Sequence, residues 1–425
     1  MKKLHFAFFF SWYLILGTWC FSFSQDSLVA PKKSKQSIEF VGDVFLNSNT
    51  ITNDFIWAFY KGDSIDDILK ESATDKILTS NRLGGASKLG FTYSYHSLDG
   101  NNKPTFSFSF FDRQHIDMKF SDDLFNTIFY GNKMFAGETA SLGNFSWNLL
   151  RYQQFRFGWD WKGDVNHGSY GVALSLLSGE ENTFIKANRA DMFTDTNGLY
   201  IDFDVDMEML QSDTSTKKYD TSRKKYFAQN GIGLSADFYY ELPYIVWKNP
   251  GKITFEVKDL GIIRWNSNSM RYSADSSYHY DGIDVIDLFN LDSTISPMNI
   301  DSVIDKNTNF KKGQYTTNIP FTLDVHTKSF YGNQVAFEKG IICWFNTSAK
   351  PYYYAKLHFM VGRKKSADIA YIIGYGGYGR FNSGIEAKID FAKHYSLHVI
   401  DNYLFSGIAQ TSYGMGLYLK LVRRF

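Results

Sequence analysis

A two-residue alternation of apolar and polar side chains, repeated along most of the chain, is the feature that most narrows what this sequence can fold into. Across the last fifteen residues, Tyr413, Met415, Leu417, Leu419 and Leu421 share one parity, and Ser412, Gly414, Gly416, Tyr418 and Lys420 share the other. That is a strand with one apolar face and one polar face. Leu89 to Tyr95, Thr105 to Phe110, Gln154 to Trp161 and Tyr170 to Leu176 repeat it, as do Ile232 to Leu242 and Ile253 to Lys258. So do Phe321 to Lys328, Phe337 to Phe345, Tyr353 to Val361, Ile369 to Tyr375, Phe381 to Phe391 and Tyr395 to Phe405.

The sharpest example is Leu199 to Met209. Leu199, Ile201, Phe203, Val205, Met207 and Met209 face one way, and Asp202, Asp204, Asp206 and Glu208 the other. Carboxylates at mid-depth in lipid cost several kcal/mol, so such a row must line an interior or stand clear of the membrane. The row is expected to line the lumen of a barrel. By the same parity, Arg156, Asp237, Glu256, Lys258, Lys356, His358, Glu386, Lys388 and Asp390 are expected to line that lumen. Pairing with Arg156 or Lys258 is the expected fate of the acids, because an unpaired charge taken out of water is expensive. With this segment the alternating stretches number fourteen, an even count that brings both ends of a barrel to one rim.

Other features point the same way. Met1 to Ser24 has the shape of a secretory signal, with Lys2 and Lys3 before an aromatic-rich apolar stretch and Ser22-Phe23-Ser24 ahead of Gln25. Trp19 before Cys20 argues against lipidation, and removal of the signal leaves Cys343 without a disulfide partner. Beyond the signal there is no apolar run of about 20 residues that would make a membrane helix. Aromatic residues make up 18% of the chain, more than a soluble core requires, whereas membrane barrels set them in girdles. Forty-five Lys and Arg against 44 Asp and Glu leave no basic excess for nucleic acid.

Two stretches depart from the alternation. Ser121 to Tyr130 opens with a capping serine and two acids, then places Leu124, Phe125, Ile128 and Phe129 at helical spacing. Phe55 to Glu71 is similar. These predict short helices that plug the lumen or lie at the periplasmic face. The expected organisation is a signal over 1–24, a periplasmic or plug segment over 25–86, and a barrel over 87–425 with a long surface loop at 266–320.

Motifs for chemistry are weak. Gly374 to Gly379 fits G-x-G-x-x-G but lies between strands with no helix after it, so a tight hairpin is expected. Asp195-Thr196-Asn197-Gly198 resembles the middle of a calcium loop, but Phe193 holds the first ligand position, so a plain turn is expected. His326, His358 and His398 share polar parity, yet no hydrolase motif accompanies them. The expectation is a protein that is not an enzyme and carries no metal or cofactor.

These features together resemble outer-membrane β-barrels of the Bacteroidota. Gly416, Leu419, Leu421 and the closing Phe425 look like the signal read by the barrel-assembly machinery, although Arg423 and Arg424 depart from the commonest ending. Asn81 to Gly85, Ser121 to Asn132 and Phe135 to Gly137 look like a family of unknown function in that phylum. The architecture is loosely similar to fatty-acid transporters and to the barrel shuttle of the type IX secretion system. The expectation is therefore an all-β, transmembrane antiparallel barrel of about fourteen strands in the outer membrane of a Gram-negative bacterium. The resemblance implies outer-membrane lipid as surroundings and passage of a small or hydrophobic molecule, or a role as accessory subunit of a secretion or assembly complex.

Overall fold

A computed structural model describes residues 36–62, 65–96, 104–163, 168–212, 229–246, 249–281, 309–362, 366–391, 394–404 and 412–425. The expected signal and 282–308 of the expected loop lie outside those residues, as do Asp99 to Asn102 and 363–365 of Arg363 to Ser366, two stretches whose composition predicts turns. The strands are β1 (Gln36–Ser48), β2 (Asn81–Tyr95), β3 (Thr105–Phe120), β4 (Thr139–Ser141), β5 (Phe145–Trp161), β6 (Ser169–Thr194), β7 (Ile201–Gln211), β8 (Gly231–Val246), β9 (Asn249–Trp265) and β10 (Met270–Tyr280). They continue as β11 (Asn309–Lys312), β12 (Thr316–Asn318), β13 (Phe321–Tyr331), β14 (Val335–Phe345), β15 (Lys350–Val361), β16 (Ala367–Gly377), β17 (Phe381–Phe391), β18 (Tyr395–Asp401) and β19 (Gly414–Arg424). Short helices are α1 (Asn53–Lys61), α2 (Asp67–Thr74) and α3 (Asp122–Tyr130), with a 3₁₀ turn at Asn132–Phe135.

Fourteen strands close an antiparallel ring in the order β1, β2, β3, β5, β6, β8, β9, β13, β14, β15, β16, β17, β18, β19 and back to β1. Closure leaves no open sheet edge in the wall, which is the condition for β-structure to cross lipid. The wall obeys the parity of the sequence. One outward row runs Phe91, Phe110, Phe155, Leu176, Leu234, Ile262 across six neighbouring strands. The ring centroids of Phe110 and Phe155 are 5.2 Å apart, and those of Phe108 and Phe157 5.3 Å. Leu174, Leu234, Ile262, Tyr353, Ile369 and Tyr371 are exposed on this face. A continuous apolar surface of that kind suits lipid, not water.

The expected count is met, but with one strand exchanged for another. β1 lies inside the stretch expected to be a periplasmic or plug segment, and it pairs along its whole length with both β2 and β19. The barrel therefore starts at Gln36 and not at 87. Its alternation is blurred because Val41 and Phe45 put apolar side chains on the inward parity. β7, by contrast, is not part of the ring. β6 is 26 residues long, far more than the roughly 9–11 of a tilted span. Its first part pairs with β8 over Ser169 to Gly179, and its second part pairs with β7 over Thr183 to Thr194. β7 then pairs with β10, and β10 with β11, so a small sheet rises beyond the wall.

The two rims differ. Gln36 and Phe425 meet at one, where the Phe425 N–H donates to the Gln36 carbonyl at 3.0 Å. The other carries α1 to α3 and the β6–β7–β10 sheet. That sheet buries Met192, Ala187 and Ala190 against Phe135, Ala140 and Leu142.

Candidate functional site

The lumen is crossed by side chains and by inward-folded turns. On β3, Arg113 donates from Nη2 to Asp259 Oδ2 of β9 at 2.8 Å, and from Nη1 to Gln154 Oε1 of β5 at 3.0 Å. Gln154 Nε2 donates to Asp259 Oδ1 at 2.8 Å, closing the triangle. Asp259 reaches inward because the chain bulges there: its φ is 63° and the β8–β9 register slips between Ala236 and Phe238. Its N–H donates to Asp237 Oδ1 at 2.7 Å. Arg113 and Asp259 stand on non-adjacent strands, so their bond is a chord through the bore.

At the elaborated rim, turns fold into the opening. Ser348, in the turn between β14 and β15, donates from N and Oγ to Asp117 Oδ1 on β3, at 2.7 and 2.8 Å. These walls face each other across the ring. Tyr378, after β16, is fully buried with its hydroxyl 3.3 Å from His115 Nε2, and Arg82 Nε donates to the Gly377 carbonyl at 3.1 Å. Gly376 and Gly377 have φ of 115° and 65°, the left-handed backbone that a tight hairpin needs here. The hairpin expected at Gly374 to Gly379 is present. Beside these turns, Trp265, Ile263, Ile319, Leu150 and Leu177 form an apolar core inside the mouth.

Many of the other inward charges sit in ion pairs. Arg156 pairs with Asp237, and Lys258 with Glu256 at 2.7 Å. Lys356 bonds Glu386 at 2.9 Å and Glu338 at 3.2 Å, while Lys388 bonds Glu386 at 2.7 Å. His358 lies 3.0 Å from Asp368, and Asp390 is 3.6 Å from Arg424. His326 is 3.0 Å from Asp324, and His398 3.0 Å from Glu386. All stand on the inward parity, beside one another along the wall.

The acidic row does not. Asp202, Asp204, Asp206 and Glu208 lie on β7, in the sheet beyond the barrel, so their placement in the lumen is corrected. Arg189 Nε is 2.9 Å from Asp204 and its Nη2 3.1 Å from Asp275; Arg271 is 3.6 Å from Glu208. The carboxylates keep water on one side, which is the cheap solution for closely spaced like charges. Asp204, with Asp275, raises the pKa of Arg189, and the hydrogen bond that His279 donates to Asp202 raises that of His279. Asp195 forms a plain turn, accepting from Asn197 N at 2.9 Å and Leu199 N at 3.2 Å.

The helix expected to plug the lumen or to lie at the periplasmic face is not in the lumen. Ser121 Oγ does cap α3, accepting from Leu124 N at 3.1 Å. Phe125 and Phe129 pack on Phe55 with centroids 5.8 and 5.3 Å apart, and Leu124 joins the same cluster with Phe120, Met118 and Phe145. Lys119 and Ser146 point inward, so Met118, Phe120 and Phe145 belong to the outer face. An apolar helix stripe gains more from that surface than from a lumen full of ion pairs. Ile128 is exposed.

A vestibule of about 730 Å³ opens inside the elaborated rim, lined by Arg82, Lys119, Lys186 and Lys350 with Asp117, Asn148, Asn182, Asn318 and Asn346. A cleft of about 570 Å³ is lined by Leu174, Leu234, Leu260, Ile262 and Phe321 of the outer wall, together with Ser235, Asn318 and Asn346. It lies where pairing of β9 with β13 stops at Lys258–Thr322 and resumes with β12 at Ile262–Asn318. Asn318 and Asn346 border both spaces. Sequence parity could have marked Arg113 and Lys119 as inward; Asp259 was hidden by its bulge, and Ser348 and Asn346 by lying in a turn.

A family profile matches residues 31–393. The chain belongs to the family of unknown function DUF5723. No curated protein matches it in sequence. Among solved structures, it is similar to a deltaS2S3 mutant of the TodX monoaromatic hydrocarbon channel, with a TM-score of 0.44 and 8% identity over 93% of this chain and 91% of that one. The toluene transporter TodX of P. putida gives 0.42 and 7% over 93% and 91%. The translocator domain of the autotransporter NalP from Neisseria meningitidis gives 0.35 and 6% over 93% and 90%.

Proposed function

We propose that this DUF5723 protein is an outer-membrane barrel that passes a small hydrophobic or amphipathic molecule between the vestibule and the lipid through its wall. The observation that carries this reading is the shared border of the two cavities at Asn318 and Asn346, in a barrel whose straight bore is crossed by Arg113 and Asp259. Short turns such as 332–334 lie at the rim of the termini and the long elaborations at the other, an asymmetry that supports an outward-facing elaborated rim. A route to the lipid needs an apolar exit, and Leu174, Leu234, Leu260 and Ile262 supply one.

Filling the cleft with Leu234→Trp and Ile262→Trp tests it. Uptake of an uncharged fluorescent hydrophobe into proteoliposomes should fall to that of protein-free liposomes, with the barrel still folded. Uptake equal to that of the unmodified protein overturns the reading. A second reading, an accessory subunit of an outer-membrane complex, is favoured by the β6–β7–β10 sheet, whose charged face at Asp204, Asp275 and Arg189 is exposed above the barrel. Stoichiometric co-purification of a partner that is lost when that face is neutralised supports it.

A further inference from the structure

Inside the vestibule the inward positions of neighbouring strands form one row: Arg82 of β2 is opposite Lys119 of β3, Lys119 is opposite Ser146 of β5, and Ser146 is opposite Lys186 of β6. Lys350, at the start of β15, faces the same space from across the ring. Like charges placed directly opposite each other on adjacent strands are destabilising. For Arg113, Arg156, Lys258, Lys356 and Lys388 deeper in the lumen the cost is met by carboxylates, while Lys88, opposite Arg113, lies over the Phe111 ring. In the vestibule it is not.

None of the four vestibule cations forms an ion pair among the described residues. Arg82 bonds a backbone carbonyl, and Lys119 Nζ donates to Asn144 Oδ1 at 2.7 Å. The one carboxylate lining the space, Asp117, is taken by Ser348. Glu208, opposite Lys186 on β7, is turned to Arg271. Around the cations stand the amides of Asn148, Asn182 and Asn318 and the hydroxyls of Ser146 and Thr317, which can serve an oxygen-rich ligand.

The geometry points to a binding site in this vestibule for a multivalent oxyanion of the phosphate class, held by Arg82, Lys119, Lys186 and Lys350. It rests on the transport reading only in making this anion the polar part of the molecule carried; the binding itself does not depend on passage. A single carboxylate would meet three cations in excess, whereas a phosphate monoester or diphosphate offers several acceptor oxygens and up to several charges to the row. The phosphate can come from a free solute or from the head of an amphiphile whose tail takes the adjoining apolar cleft.

The test is equilibrium titration of the full chain in lipid nanodiscs with pyrophosphate, glucose and dodecyl phosphate. Pyrophosphate should bind and glucose should not. Lys119→Gln, Lys186→Gln and Lys350→Gln combined should weaken pyrophosphate binding by roughly tenfold or more, and the matching three arginine replacements should keep it. Heat-modifiable migration on gels confirms that each variant is folded. Tighter binding of dodecyl phosphate than of pyrophosphate, with the gain removed by Leu234→Trp, assigns the anion to an amphiphile; equal binding assigns it to a free solute, and both support the site. Unchanged affinity in the glutamine variant, or equal binding of glucose and pyrophosphate, overturns it. Because binding is read without transport, a blocked cleft that still passes cargo sinks the transport reading alone.

Discussion

Gly84 shows how much can hang on one residue. A Cβ built there would overlap the ring of Tyr378, the side chain that the β16–β17 turn inserts into the mouth. Gly84→Val should therefore expel Tyr378, break its contact with His115 and raise single-channel conductance in planar bilayers; conductance equal to the unmodified chain would show that Tyr378 does not help to close the bore. At this scale alternation carries direction: Arg156, Asp237, Glu256, Lys258, Lys356, His358, Glu386, Lys388 and Asp390 have the inward parity of their strands. Their partners were not legible. Pairing of Lys356 with Glu386, or Arg113 with Asp259, depends on which strands meet and on side chains reaching across the bore, and local alternation carries neither.

At the scale of elements, the same alternation that marked β7 as a strand could not say which sheet it joins. Its even positions contact water and its odd positions an apolar cover, a contrast that a lumen and lipid would produce equally. His279 of β10 reports on this sheet. Its pKa is raised above the ordinary 6.5, first by the hydrogen bond to Asp202, so the stabilisation is present in full below that value and is lost as pH climbs through the raised one. A proton NMR titration of the imidazole should give a midpoint above 6.5 that returns toward the ordinary value in Asp202→Asn, and a midpoint at or below 6.5 in the parent would contradict it. The helices make the complementary case. Ser121 and the spacing of Leu124, Phe125 and Phe129 announced α3, but only the outward Met118, Phe120 and Phe145 determined where its apolar stripe is buried. Phe125→Ala should cost about 3–5 kcal/mol locally, freeing the helical layer to proteolysis while the barrel resists.

For the whole molecule, the chord between Arg113 and Asp259 ties together walls that are not neighbours, so it acts on stability and on the bore at once. Arg113→Ala leaves Asp259 in the lumen without its cation and should lower resistance to denaturant by about 3–5 kcal/mol, whereas replacing both partners by apolar residues should restore much of the loss and widen the path for ions. Denaturant melts followed by intrinsic fluorescence, paired with conductance, check both halves; a double variant as unstable as the single one would count against the chord. The period of two, the aromatic load and the lack of a long apolar run were sufficient, without coordinates, to specify a closed barrel with apolar outer and polar inner walls, because side-chain direction along a strand follows from local backbone geometry. That β1 closes the ring, that β7 leaves it, that turns and not a helix obstruct the mouth, and that four cations converge on one cavity were decided by tertiary structure, because each depends on contacts between segments far apart in the chain.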